Sequence, residues 1–509
     1  MKTTHTKTTR RDFLIGMAGA AGAFAAPWIG AGRAHAGPAS DERQRIEAAI
    51  PGKAFIQPRK RRRLLIFELN VGYDGHGSIP TASLAFTLMG EKTGAFETVV
   101  SKDPSVFRPE NLKGSPLGMA KPFDAVFLNN TVGNLFEDPV LRQSLVEFVY
   151  GGGGLLGVHG TSVAFTRWPG AYEDWPEFGI MLGARGANHR DSDEHVFVKL
   201  DDPNHPVNQP FGGKGFEYRD EFFRVHEPYS RHRVRVLLSI DTEKTDMNQG
   251  TPRGNCVRED NDYALAWVRQ YGRGRVFYCT IAHNPYVFWD PKMLQFYLAA
   301  AQFALGDLPA PTTPSAKLTP AIRAHEQLGW QVTLVPVPSA KLTLFETIDK
   351  AVELGLVHVG GCNRQVISRD IPKSFDDRLS SEDLKQIRLK LDAAGVRLLT
   401  YRMDPMPTDE MRQRKMFEFA RRMGAHVLIR NGEELPADSS LLEIVCSDKP
   451  VPKKGTDLTF YKALRRGPDS PIVFTIEFAG DKTGEMEEVT ERIELFNDLA
   501  IKMANGGGS

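Results

Sequence analysis

Cysteine is scarce in this chain. Its 509 residues include four, Cys256, Cys279, Cys362 and Cys446, and no two of them form a C-x-x-C pair. Such spacing excludes a disulfide framework and a cysteine zinc site. Cys279 lies inside an apolar run and reads as a small buried hydrophobe. An excess of charge of one sign is also missing: 64 Lys and Arg oppose 63 Asp and Glu, a net of +1. No field therefore draws the protein to nucleic acid or to an anionic membrane. The basic run Arg59–Arg63 is the local exception and reads as a solvated entry to the strand behind it. The glycine run Gly151–Gly154 lacks the trailing Gly-Lys-Ser/Thr of a phosphate loop and suits a tight helix-to-strand turn instead. No internal repeat is present.

An ordinary soluble composition remains, with 25% charged and 41% hydrophobic residues. At about 150 residues per domain the length allows two or three domains. Near the start, Arg10-Arg11-Asp12-Phe13-Leu14 forms a twin-arginine pattern, followed by an apolar stretch (Ile15 to Ile29) and by Ala34-His35-Ala36, an A-x-A cleavage site. Residues 1–36 are expected to be a twin-arginine signal peptide, and the mature protein is expected in the periplasm. Gly and Ala interrupt the apolar stretch too often for a strong anchor, so no stable membrane insertion is expected.

Residues 37–60 are polar, with one helix through Glu42–Ile50. From 61 to 307, strands and helices alternate. Strands are expected at Leu64–Leu69, Glu97–Ser101, Ala125–Asn129, Leu155–Val158, His195–Leu200, Arg235–Ser239, Ala264–Val268 and Arg275–Ile281. Helices are expected at Pro80–Thr93, Pro139–Tyr150 and Pro291–Leu305. The alternation implies an α/β, doubly wound, mainly parallel sheet. Residues 308–328, opening on the Pro-rich Pro309–Pro320, read as a stiff linker. A second α/β unit over 329–505 has strands expected at Gln331–Val335, Val357–Gly360, Val396–Tyr401, His426–Arg430, Leu442–Cys446 and Pro471–Phe478.

Several strands of the first unit end in polar groups. The first leads into Gly72-Tyr73-Asp74-Gly75-His76-Gly77-Ser78, the third ends Asn129-Asn130-Thr131, the fourth ends at His159, and the last ends Thr280-Ile281-Ala282-His283-Asn284. In a parallel sheet these clusters meet at the carboxyl edge, where ligands bind. A further polar stretch, Asn188–His195, packs His189 and His195 beside three carboxylates, and Asp220-Glu221 follows within Tyr218–Phe223. Imidazole and carboxylate together suit zinc and similar divalent ions, or general acid–base work. His205 precedes a proline, which leaves open a turn cap or a site residue. His195 lies inside a strand and reads as structural. Phe165, Trp168, Tyr172 and Trp175 follow the fourth strand and could stack on a sugar or pack as a lid.

Residues 61–307 resemble the ThuA-like (trehalose-utilization) family. The resemblance rests on GYDGHGSIP (Gly72–Pro80), FDAVFLNNT (Phe123–Thr131), GGGLLGVHG (Gly152–Gly160), LGAR (Leu182–Arg185), DDPNHPV (Asp201–Val207), YRDEFF (Tyr218–Phe223) and ALAWVRQYGRGRVFYCTIAH (Ala264–His283). It implies a flavodoxin-like, class I glutamine-amidotransferase-like fold and a pocket lined by His76, His159, Asp220, Glu221 and His283. His76, His159 and His283 are expected to bind a divalent metal or polarise a sugar. His159, Asp220 and Glu221 carry the expected catalysis, with Asp220 or Glu221 as general base. Tyr73, Asn130, Trp175 and Asn284 are expected to contact substrate. The elbow carries His159 where amidotransferases carry a nucleophilic cysteine, so glutaminase chemistry is excluded. Thr343–Gly361, Leu379–Arg402 and Pro471–Phe478 resemble sugar phosphate isomerase/epimerase (xylose-isomerase-like) barrels, but the unit is too short for a full barrel, which takes about 250 residues. An incomplete β/α barrel-like domain is expected, with Glu477 alone at a matching position.

The implied function is an exported carbohydrate-active protein acting on a sugar or keto-sugar by a hydrolytic, lyase or isomerase step. The alternative is a non-catalytic sugar-binding or scaffold protein. One divalent ion, zinc or similar, is the expected cofactor. A small carbohydrate is the expected partner, and a homo-oligomer is left open.

Overall fold

The computed structural model describes residues 40–114, 122–167, 172–173, 175–337, 340–405, 407–429, 451, 472–480 and 484–505. The strand expected at Leu442–Cys446 and the signal peptide lie outside these residues, as do the side chains of Trp168 and Tyr172.

Nine strands form the larger sheet: β1 (Arg63–Phe67), β2 (Glu97–Ser101), β3 (Ala125–Leu128), β4 (Gly154–Val158), β5 (Glu194–Leu200), β6 (Phe216–Asp220), β7 (Arg235–Ile240), β8 (Ala264–Tyr271) and β9 (Gly274–Cys279). Their order is β2-β1-β3-β4-β9-β8-β7-β5-β6. The first five run parallel, and the remaining four alternate in direction. The sheet is thus parallel in one half only. The reason lies in the turn Gly272-Arg273: Tyr271 pairs with Gly274, and a two-residue connection can join only antiparallel strands. β6 was not anticipated as a strand, because its alternation of half-buried and exposed residues (FEYRD) resembles a polar loop.

The central strands are continuous apolar runs because both faces are covered. Leu64 and Ile66 join one core layer with Phe86, Phe127 and Phe296, while Leu65 and Phe67 join the other with Leu145, Val149 and Trp267. Each such fully buried side chain contributes roughly 1.5–3 kcal/mol of transfer free energy. The helices start where the sequence supplies a cap. Asp138 accepts the Val140 N–H before Pro139–Tyr150, and Asp290 accepts from Lys292 and Met293 before Pro291–Leu305.

The second sheet is wholly parallel. Its strands β10 (Trp330–Pro336), β11 (His358–Cys362), β12 (Arg397–Arg402), β13 (Val427–Ile429) and β14 (Ile472–Phe478) lie in the order β13-β12-β11-β10-β14. Among the described residues this is an open five-stranded sheet. Residues 308–328 are not a free spacer. Thr319 caps a helix at Pro320–Leu328 that buries Ala321, Ala324 and Leu328. Just before it, Ser315 N–H donates to the Val234 carbonyl and its hydroxyl accepts from Val236 N–H, 3.0 and 2.9 Å. Buried ion pairs tie the two sheets together: Arg388 to Glu177 at 3.0 Å, Arg235 to Glu326 at 2.8 Å, and Arg269 to Asp392. No helix among the described residues is long and apolar enough to cross a membrane.

Candidate functional site

His159 stands directly after β4, where the backbone turns into a short 3-10 segment, and it adopts φ +40°. A residue with a side chain rarely holds that conformation without support from its surroundings. Here Thr161 supplies it: its hydroxyl accepts from Val158 N–H and donates to the Leu128 carbonyl, 3.1 and 2.7 Å. Gly160 permits the close approach, since a Cβ there would lie 2.9 Å from Val132 Cγ2. The strained turn projects the imidazole into the sheet's carboxyl edge, fully buried.

Asn130, also left-handed at φ +56°, fastens the neighbouring loops to this turn. Its Oδ1 accepts from Gly160 N–H (2.8 Å), and its Nδ2 donates to Ser78 Oγ (3.0 Å) and the Ala282 carbonyl (2.9 Å). One buried amide thus joins the loops after β1, β3, β4 and β9. Both protons of its amide are thereby engaged within the fold. Ser78, which donates to the same Ala282 carbonyl at 2.8 Å, is part of this fastening and was not singled out from the sequence.

Three imidazoles and a carboxylate come together as a result. One ligand atom from each of His76, His159, Glu221 and His283 lies within 4.8 Å of the others. The rings of His76 and His159 are 4.9 Å apart, those of His76 and His283 5.3 Å, and those of His159 and His283 5.2 Å. His159 Nδ1 lies 2.8 Å from the Thr280 carbonyl. A carbonyl can only accept, so Nδ1 carries the proton and Nε2 presents a lone pair. That Nε2 is 3.3 Å from Glu221 Oε1. Phe223 packs on the imidazole at 3.8 Å between ring centroids. Thr280 and Phe223 thus set the tautomer and plane of His159; of the two, Thr280 carried no sequence signal beyond its place at a strand end.

Burial lowers the pKa of His76 and of His159 well below the ordinary imidazole value, and the neighbouring imidazoles add to the effect. His283 is lowered by the same desolvation. Glu221 is raised by its burial. The imidazoles are therefore held neutral, the state that ligates metal. His76 Nδ1, His159 Nε2 and His283 Nδ1 are buried with no hydrogen-bond partner among the described residues. Buried polar nitrogens are seldom left so. A set of three nitrogens and one carboxylate oxygen fits zinc or a similar divalent ion.

The other candidates sort by position. His189 Nδ1 is 3.1 Å from Glu221 Oε2 and 2.6 Å from the Arg190 carbonyl, at the partly exposed rim. The Tyr73 ring lies 5.1 Å from that of His76, and the Glu221 charge raises its pKa after burial does. Asp220 is not at the cluster as a base. Its carboxylate accepts from His283 N–H (3.1 Å), Asn284 N–H (3.0 Å) and Asn284 Nδ2 (2.8 Å), and burial pushes its pKa to about 8. Asp220 and Asn284 are positioning residues that hold the His283 loop. Trp175 packs on Phe165 at 4.8 Å and beneath Arg142 at 5.4 Å, in the core layer rather than the cluster. The buried Ser162 hydroxyl, near the cluster in sequence, donates to the Gly186 carbonyl at 2.6 Å. His205 caps a turn, accepting from Val207 N–H and contacting the Pro311 carbonyl. His195 pairs with Glu217 on the strand face.

Residues 63–304 match the family model ThuA, described as trehalose utilisation, and this part of the chain is a ThuA-like domain. Among solved structures, a ThuA-like protein from Bacteroides uniformis is 18% identical over 49% of this chain and 93% of its own, with a TM-score of 0.39. One from Parabacteroides merdae is 18% identical over 48% of this chain and 91% of its own, with a TM-score of 0.34. No curated protein matches the chain.

Proposed function

We propose that the ThuA-like domain is a divalent-metal-dependent enzyme acting on a sugar or keto-sugar. The observation that carries this reading is the gathering of three neutral imidazoles, two buried and one half-buried, and one carboxylate within 4.8 Å at the carboxyl edge of the sheet. His76, His159, Glu221 and His283 would hold the ion. When bound, it would supply Lewis-acid polarisation of a sugar oxygen. The chain's own groups do the rest. His159 is locked in one tautomer by the Thr280 carbonyl and cannot rotate to donate elsewhere. Glu221, shielded from solvent 3.3 Å from His159 Nε2, would present its carboxylate to the ion. His189 links Glu221 to the rim at 3.1 Å, where its side chain is 25% exposed. Tyr73 closes the rim beside His76. The family's description, trehalose utilisation, supports a carbohydrate substrate.

We further propose export to the periplasm through the twin-arginine segment at Arg10-Arg11. The second sheet serves assembly or substrate contact as a reduced barrel. Supporting this, β14 pairs with β10 in parallel along its whole length, as neighbouring barrel strands do. Its one candidate site residue, Glu477, is bound by Arg402 at 2.7 Å.

The test is metal content of the purified protein together with keto-sugar turnover. Wild type is expected to hold one equivalent of divalent metal and to turn over. His159→Ala should lower metal affinity by at least about 100-fold and abolish turnover, whereas His426→Ala in the second sheet should leave metal content intact. Unchanged turnover in His159→Ala defeats the assignment. Sugar affinity that survives chelation, with no turnover, favours a non-catalytic binding protein.

A further inference from the structure

The larger sheet ends at β6, and the loop following β9 folds over that free edge. A shallow, open cleft of about 220 Å³ lies there, lined by His195, Glu217, Tyr218, Arg219, Tyr286 and Asp290. None of these belongs to the metal-binding set. Tyr286 is fixed at the mouth, its hydroxyl donating to the Arg219 carbonyl at 2.7 Å while 37% of the residue stays exposed. The Tyr218 hydroxyl is buried and has no hydrogen-bond partner among the described residues.

The charges around the cavity oppose one another. Glu217 holds His195 at 3.1 Å, Asp290 is engaged as the cap of the following helix, and Arg219 stands among them. With both carboxylates already engaged, Glu217 by His195 and Asp290 by the helix N-terminus, the lining suits a neutral ligand with many hydroxyls. Tyrosine rings present flat apolar faces to sugar C–H groups, while Arg219 and Glu217 supply donors and acceptors for vicinal hydroxyls. The volume is below that of a drug-sized pocket and suits a single sugar ring.

The cavity is wired to the histidine cluster. Asn284 Nδ2 donates to Tyr286 Oη at 3.2 Å and to Asp220 Oδ1 at 2.8 Å, and Asp220 accepts the His283 N–H at 3.1 Å. We propose that this cavity is a second sugar subsite. It takes the distal ring of a neutral two-ring substrate whose reacting ring sits at the cluster, and so it rests on the carbohydrate reading above. The reading above is tested by turnover, whereas the subsite is tested by binding.

The experiment titrates trehalose into the full chain by calorimetry, comparing wild type with Tyr286→Ala and Arg219→Ala. Both side chains are exposed, and matched thermal melts confirm that the variants fold. Trehalose binding is expected to weaken by about tenfold or more in each variant. Trehalose that does not bind wild type, or that binds both variants as well as wild type, overturns the subsite whatever the turnover. Binding lost in the variants of a protein that turns over no keto-sugar keeps the subsite and removes the enzyme.

Discussion

Buried and half-buried histidines occur in both sheets, at opposite ends of the strands. In the larger sheet His159 follows the last residue of β4, and His76 and His283 lie on loops leaving β1 and β9. In the second sheet His358 opens β11 and His426 immediately precedes β13. Burial holds both groups neutral, with His358 and His426 each lowered to about 3. Their charged neighbours differ. The first group surrounds the Glu221 carboxylate. The second faces guanidinium groups: Arg397 beside His358, and Arg273, Arg275 and Arg397 around His426. A carboxylate attracts a metal cation, whereas guanidinium groups repel one. The same residue type thus forms a group able to hold a cation in one sheet and packs beside cations in the other, and the neighbour's charge separates the two.

The largest effect on this contrast is expected from the amide that gathers the first group. Asn130→Ala leaves Gly160 N–H, Ser78 Oγ and the Ala282 carbonyl without their partner. With several buried polar groups affected, the loss should be about 3 kcal/mol in chemical denaturation, and metal content should fall with it. A change below about 0.5 kcal/mol would mean that the loops assemble without Asn130, and that the contrast between the sheets has another origin.

Much of this arrangement was legible in the sequence. Apolar runs with capped helices between them located most strands of both sheets to within two residues, because covered strands must be apolar throughout. His76, His159 and His283 were also legible, as polar groups beyond strand ends, and Glu221 through the polar stretch Tyr218–Phe223 and the family resemblance. What could not be read was the division of labour among them. Asp220 and Glu221 are adjacent and chemically alike, yet one clasps a backbone loop and the other faces the imidazoles. Only burial and direction separate them. Asn130 was expected to contact substrate, and nothing in a sequence shows that both protons of its amide are engaged within the fold. The antiparallel half was missed because Ala264–Val268 stops three residues short of the strand's end at Tyr271, which hid the two-residue turn that follows.

The second sheet offers a smaller effect, set by pH. His358 and His426 have folded pKa values of about 3, below the ordinary 6.5. Between those values the unfolded chain binds more protons than the folded one. Their contribution to stability is therefore complete above pH 6.5 and declines as the pH falls toward 3, by up to about 1.4 kcal/mol per pH unit for each group. Urea midpoints measured at pH 7, 6 and 5 should fall in that order. His358→Gln, which cannot take up a proton, should flatten the slope. An unchanged slope would show that His358 does not drive the acid sensitivity.

The smallest effect tests whether position in a family motif is enough to make a histidine functional. His205 lies in the ThuA-like stretch DDPNHPV, yet it resembles the histidines of the second sheet. It is 2% exposed, burial lowers its pKa to about 4, and its ring caps the turn at Val207 and reaches the Pro311 carbonyl at 3.0 Å. His205→Ala should cost about 1 kcal/mol of stability, the usual loss for a cap, and His205→Asn should recover part of it through the same acceptor. Metal content and turnover should match wild type in both variants. Loss of metal in His205→Ala, at unchanged stability, would place this histidine with the cluster and break the rule that a carboxylate neighbour marks the functional set.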